Sequence, residues 1–194
     1  RHWYTEAAEL GDAEAMRNLA RHYRAGLGVA RSDSAALEWY RNAVEAGSVD
    51  ALAEIGWMYE QGLDGRRDVA EAIRWYRRAA AAGSPLGMYA LGRVYQGAVG
   101  VPRDYGQARA WFLQAACAGS AHAMNELGVV YEQGLGVAAD GGTALQWFRR
   151  AAAAGSAEAG RHVARLEPRG VRTAIALLNQ PKPVLPAGCG ASRG

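Results

Sequence analysis

The chain has 194 residues, half of them apolar, and carries 22 Arg and Lys against 19 Asp and Glu, a net charge of +3. That length and apolar share suffice for a sizeable core, whereas so small a basic surplus lacks the concentrated patch of a phosphate-binding surface, so a nucleic-acid partner is not expected. No apolar run approaches the ~20 residues that cross a bilayer, and no charged-then-apolar leader opens the chain.

A 36-residue period runs through the sequence. Gly11, Gly47, Gly83, Gly119 and Gly155 keep that step, as do Trp3, Trp39, Trp75, Trp111 and Trp147, and Tyr23, Tyr59, Tyr95 and Tyr131. Such spacing marks a stack of like units, each too small to bury its own apolar face.

In chain order, residues 1–11 place Trp3, Tyr4, Ala7 and Ala8 where the next unit has Trp39, Tyr40, Ala43 and Val44, so the chain is expected to open inside the second helix of a unit. Residues 12–47 form the first full repeat. Ala15, Leu19, Ala20 and Tyr23 give an apolar stripe at the helical period. Asp12 before them is a helix-capping residue, and Gly26 after them can close the last turn in a left-handed conformation. A second helix begins at Ser32 and carries Ala36, Trp39, Tyr40 and Ala43.

The same pattern predicts repeats over 48–83, 84–119 and 120–155. Ser48, Ser84 and Ser120 open their first helices; Asp68, Asp104 and Asp140 open their second. Asp68 with Glu71 and Asp104 with Gln107 have the spacing of a capping box. The tryptophans are expected to fill the spaces between hairpins, with Trp75 mostly buried. A half repeat occupies 156–170, where Glu167 stands at the expected Tyr and Pro168 ends the helix. Residues 171–180 suit a short capping helix. Residues 181–194 have the Pro and Gly content of a disordered tail. The fold expected is all-α: a right-handed α-solenoid, or superhelix, of antiparallel helix hairpins.

The pattern Ala-x3-Leu-Gly-x2-Tyr, then Gly-x-Gly-Val, then Asp-x3-Ala-x2-Trp-Tyr-x2-Ala-Ala-x2-Gly resembles the Sel-one-like repeat, a relative of the tetratricopeptide repeat. The fourth copy keeps it as Leu127-Gly128, Tyr131, Gly134-Leu135-Gly136-Val137, Asp140, Ala144, Trp147-Phe148 and Ala151-Ala152. Copy two departs at Asp64-Gly65, and copy three has Ala98 at the usual Gly with Gly97 one place earlier. The resemblance implies a binding scaffold or adaptor that holds a partner protein or peptide in the concave groove lined by its first helices.

Catalytic constellations are missing from the sequence. The GLGV segments follow a helix and lack the Lys of a phosphate-binding loop, no Gly-x-Ser-x-Gly elbow occurs, and His2, His22, His122 and His162 have no ligand spacing. No enzyme activity, cofactor, metal or small-molecule substrate is therefore expected. Cys117 and Cys189 are read as ordinary thiols, which leaves the compartment open between cytoplasm and periplasm.

On each first helix the residues opposite the core stripe are the ones free to vary. They supply the candidate site: Arg17, Arg21 and Arg24 in copy one, Trp57 and Glu60 in copy two, Tyr89 and Arg93 in copy three, Asn125 and Glu132 in copy four, and Arg161 in the half copy. Trp57 and Tyr89 have no purpose on a merely solvated face, and Trp, Tyr and Arg dominate interface energies. The three arginines of copy one point to a partner with an acidic segment or a C-terminal carboxylate. Two other readings stay open: a nucleic-acid-binding α-solenoid, and the non-catalytic repeat region of a larger enzyme or signalling protein.

Overall fold

The computed structural model describes residues 2–63, 65, 67–98 and 100–167. The expected capping helix at 171–180 and tail at 181–194 lie outside them. Among the described residues the chain is helical without strands, in repeating hairpins. It divides into two compact units, Arg1–Pro102 and Arg103–Gly194.

The first unit holds α1 (His2–Glu9), α2 (Ala13–Ala25), α3 (Asp33–Glu45), α4 (Val49–Gln61), α5 (Val69–Ala81) and α6 (Pro85–Arg93). Each helix packs against the next in sequence. The helices start where their caps dictate: the Asp12 carboxylate accepts from the Ala15 amide at 2.7 Å, and Asp68 accepts from the Glu71 amide at 2.9 Å. Gly26 and Gly62 end α2 and α4 with φ of 70° and 71°, the left-handed conformation that a side chain would strain. In copy three the left-handed residue is Gly97, at φ 95°, one place earlier, and the helix closes through a π-helical turn over Val94–Ala98. Its shifted glycine moves the turn, and the hairpin survives.

The core of this unit joins successive hairpins. Leu19 and Ala20 of α2, Ala36 and Tyr40 of α3, and Ile55 and Met58 of α4 are all 2% exposed or less. Helix α4 is buried on most sides, Ala53 and Glu54 included. Its Gly56 lets the Tyr76 ring of α5 approach so closely that a Cβ there would sit 2.7 Å from it.

The second unit holds α7 (Tyr105–Cys117), α8 (Ala121–Gln133), α9 (Gly141–Ala153) and α10 (Ala157–Leu166). Ala144, Phe148 and Ala151 of α9 pack with Ala159 of α10, and the His162 ring stacks on Phe148 with centroids 4.3 Å apart. Glu167 accepts from Arg149 at 2.8 Å. At the equivalent places of the first unit, Arg41 and Arg77 donate to the hydroxyls of Tyr59 and Tyr95. Replacing Tyr by Glu at the last copy therefore exchanges an arginine–phenol bond for an ion pair.

Trp75 is mostly buried, as expected, and so are Trp39 and Trp111, but all three keep a part of their surface exposed, and Trp147 is buried more fully, at 6%. The aromatic residue that follows is the true core: Tyr40, Tyr76, Phe112 and Phe148 are between 0% and 2% exposed. One step of 100° along the helix moves a side chain from the seam between hairpins to its edge, where Arg78 covers the Trp75 ring at 4.3 Å and Arg150 covers Trp147 at 4.8 Å. The expectation that fails here is Cys117, read as an ordinary thiol: it is disulfide-bonded. Separation along the chain sets no limit on which thiols the fold brings within bonding distance.

Candidate functional site

Helices α2, α4, α5 and α6 enclose a groove of about 300 Å³ in the first unit. Six of the ten residues expected from the sequence line it: Arg21, Arg24, Trp57, Glu60, Tyr89 and Arg93. They meet because positions 36 residues apart stack on one another, so residues 21, 57 and 93 are successive rungs of one ladder. Trp57 is 37% exposed and Leu86, which the sequence reading did not select, is 38% exposed. Ala53 and Ala90 between the larger groups give the groove its depth.

The electrostatics of the groove centre on Glu54, another residue the sequence reading passed over. Its side chain is 9% exposed and lies between two guanidiniums. Arg21 donates to Oε1 at 2.5 Å and Arg24 to Oε2 at 2.9 Å. Arg24 also lies over the Trp57 ring, 4.4 Å from its centroid. Burial works against the charge on Arg21, but the hydrogen bond and charge of Glu54 outweigh it, so the Arg21 pKa is raised. Tyr40 beneath this cluster is pushed up to about 12, by burial first and then by the Glu54 charge. Tyr76 is raised further by burial and by its 2.5 Å bond to Glu60 Oε2. Both phenols therefore remain protonated, and Tyr76 remains a donor, throughout the physiological range.

Arg17 lies apart from the groove lining and is committed elsewhere. It bonds Asp50 at 3.1 Å and Glu14 at 2.5 Å. The other Asp50 oxygen accepts from Ser84 at 2.8 Å, so one carboxylate ties three consecutive repeats together. The pairs Arg17–Asp50 and Arg21–Glu54 share a 33-residue offset. That offset was the available signal for Glu54, but it becomes visible only once consecutive hairpins are superposed.

In the second unit Glu132 is held by Arg165 at 2.6 Å, also 33 residues away. Asn125 is 4% exposed, with its Oδ1 unpartnered, and Arg161 is exposed. Among the described residues no cluster of His, Cys, Asp and Glu could hold a metal, and no helix is long and apolar enough to cross a membrane.

The model of the Sel1 repeat matches residues 1–12, 13–48, 49–84, 85–120 and 121–156. No curated protein matches the chain. Among solved structures, a Sel1 repeat protein from Oxalobacter formigenes is 31% identical, with a TM-score of 0.75 over 87% of this chain and 69% of that one. A protective antigen of uropathogenic Escherichia coli with the same repeat fold is 36% identical, with a TM-score of 0.65 over 85% of this chain and 35% of its own length. An immunity protein of Pseudomonas aeruginosa is 26% identical, with a TM-score of 0.63 over 80% of this chain and 58% of its own. Sel1 repeat proteins are generally protein-interaction scaffolds and typically non-catalytic. With the matches running from residue 1 to residue 156, and with their solenoid of helix hairpins present in the fold, the chain belongs to the Sel1 repeat family.

Proposed function

We propose that this chain is a protein-binding scaffold whose groove in the first unit seats a peptide segment of a partner, with Trp57, Leu86 and Tyr89 as the apolar contacts. The observation that carries the reading is the exposure of Trp57 and Leu86 in one groove, where Arg21 and Arg24 are already paired with Glu54. Large apolar groups left open beside a polar rim are the usual anatomy of an interface centre. The groove's volume is at the small end for ligand sites and suits one large side chain with its flanking backbone better than a cofactor.

Random dodecapeptides displayed with their C-termini fused to a carrier would test this on the full chain. A selected peptide should bind Trp57→Ala about thirtyfold more weakly, the usual loss for an interface anchor of roughly 2 kcal/mol. The melting temperature should move by only a few degrees, since the ring is part-exposed and lies off the seam between hairpins. Equal affinity for Trp57→Ala and for Leu86→Ala would place the binding surface elsewhere.

A further inference from the structure

Two equivalent sets of residues, 72 positions apart, behave differently. In the second unit Arg165 reaches back to Glu132 and forms an ion pair at 2.6 Å. The same places in the first unit are Arg93 and Glu60, and they form no ion pair; among the described residues of that unit no carboxylate pairs with Arg93. One difference between the two sets is a single hydroxyl. Glu60 Oε2 accepts from Tyr76 at 2.5 Å, whereas the equivalent of Tyr76 is Phe148, which has nothing to donate. Glu132 pairs with its arginine, and Glu60 bonds Tyr76 instead.

The other charges of the groove are committed. Arg21 and Arg24 share Glu54, Glu60 holds Tyr76, and Arg24 covers one face of Trp57. Arg93, exposed and lining the groove beside Tyr89, is the cation that remains. We propose that Arg93 reads an acidic side chain of the bound peptide, so the groove selects an Asp or Glu next to a large apolar residue that packs on Trp57 and Leu86. Tyr76 acts as a positioning residue: it holds Glu60 away and leaves the guanidinium available to the ligand.

This corrects the basis on which an acidic partner is expected from sequence, where Arg17, Arg21 and Arg24 carried the inference; those three are neutralised by Glu14, Asp50 and Glu54. It commits to an internal acidic side chain, and preference for a terminal carboxylate is an outcome of the test. A guanidinium meets a carboxylate with two parallel bonds, which favours it over a neutral amide of the same shape.

The proposal rests on the groove reading above, and its test separates the two. The same displayed dodecapeptides, selected on the wild-type chain, should be enriched in Asp or Glu close to an aromatic or branched aliphatic residue, and selection on Arg93→Gln should lose the acidic preference while keeping the apolar one. Synthesised as capped peptides, a winner should lose about fivefold in affinity when its acid is changed to the amide, and nothing further on Arg93→Gln. Tyr76→Phe should weaken the acidic peptide by a similar factor and leave its amide twin unaffected, and adding Glu60→Gln to Tyr76→Phe should restore it, because no carboxylate is then left to capture Arg93. Enrichment of apolar residues with no acidic preference overturns this inference and leaves the groove reading standing. So does an acidic preference that persists in Arg93→Gln, or a stronger selection from a matched library with free C-termini. Failure to enrich any peptide overturns both.

Discussion

Phe148→Ala should cost about 3 to 5 kcal/mol, the range for truncating a fully buried aromatic residue. The ring is 0% exposed, lies among Ala144, Ala151 and Ala159, and is covered by the His162 ring at 4.3 Å. Any cavity left behind adds its cost to the lost transfer energy. Urea denaturation of the two variants side by side provides the check. Trp75→Ala, although it removes a larger ring, should cost less, because Trp75 keeps part of its surface exposed and the Arg78 guanidinium over its ring regains water when the ring is gone. Equal losses would mean that the part-exposed tryptophans carry the hairpin interface as much as the residues after them.

The second large effect is expected at Glu54. Removing one partner of a buried ion pair typically costs about 3 to 5 kcal/mol, since the remaining charge is left desolvated. That figure needs a discount here, because the Arg21 and Arg24 side chains retain 39% and 25% of their exposure and can turn toward water. Glu54→Ala should therefore cost about 2 kcal/mol. Glu54→Gln keeps an oxygen acceptor of the same shape but loses the charge, and should fall about midway between wild type and Glu54→Ala. Since α4 carries Glu54 on its buried side and contacts both α3 and α5, the loss should appear as destabilisation of the whole first unit, readable by hydrogen exchange across α2 to α5. A Glu54→Ala variant as stable as wild type would mean that the two guanidiniums gain nothing from the carboxylate between them.

Much of this molecule is legible in its sequence, because a repeated unit states the same local rule several times. Leu19, Ile55, Leu91 and Leu127 recur every 36 residues and are all buried, at 2% or less. The residues predicted to open helices, Asp12, Ser32, Ser48, Asp68, Ser84, Asp104, Ser120 and Asp140, all stand at helix starts, since a cap depends on chemistry within one turn. The candidate groove was half legible for the same reason. Trp57, Tyr89 and Arg93 stand out because they break the repeat on the face that the core leaves free.

What the sequence could not supply are the partners of its charged groups. Arg17, Arg21 and Arg24 look alike as three cations on one helix face, yet all three are spent on carboxylates a repeat away, and Arg93, two rungs along the same ladder as Arg21, is left open. Glu54 belongs to no repeating position of note and becomes the hub of the groove. Whether a charge is paired depends on distances of a few ångströms between residues 30 or 33 apart. Local periodicity carries the helices and their faces, but only the stacking of one hairpin on the next decides which charge meets which.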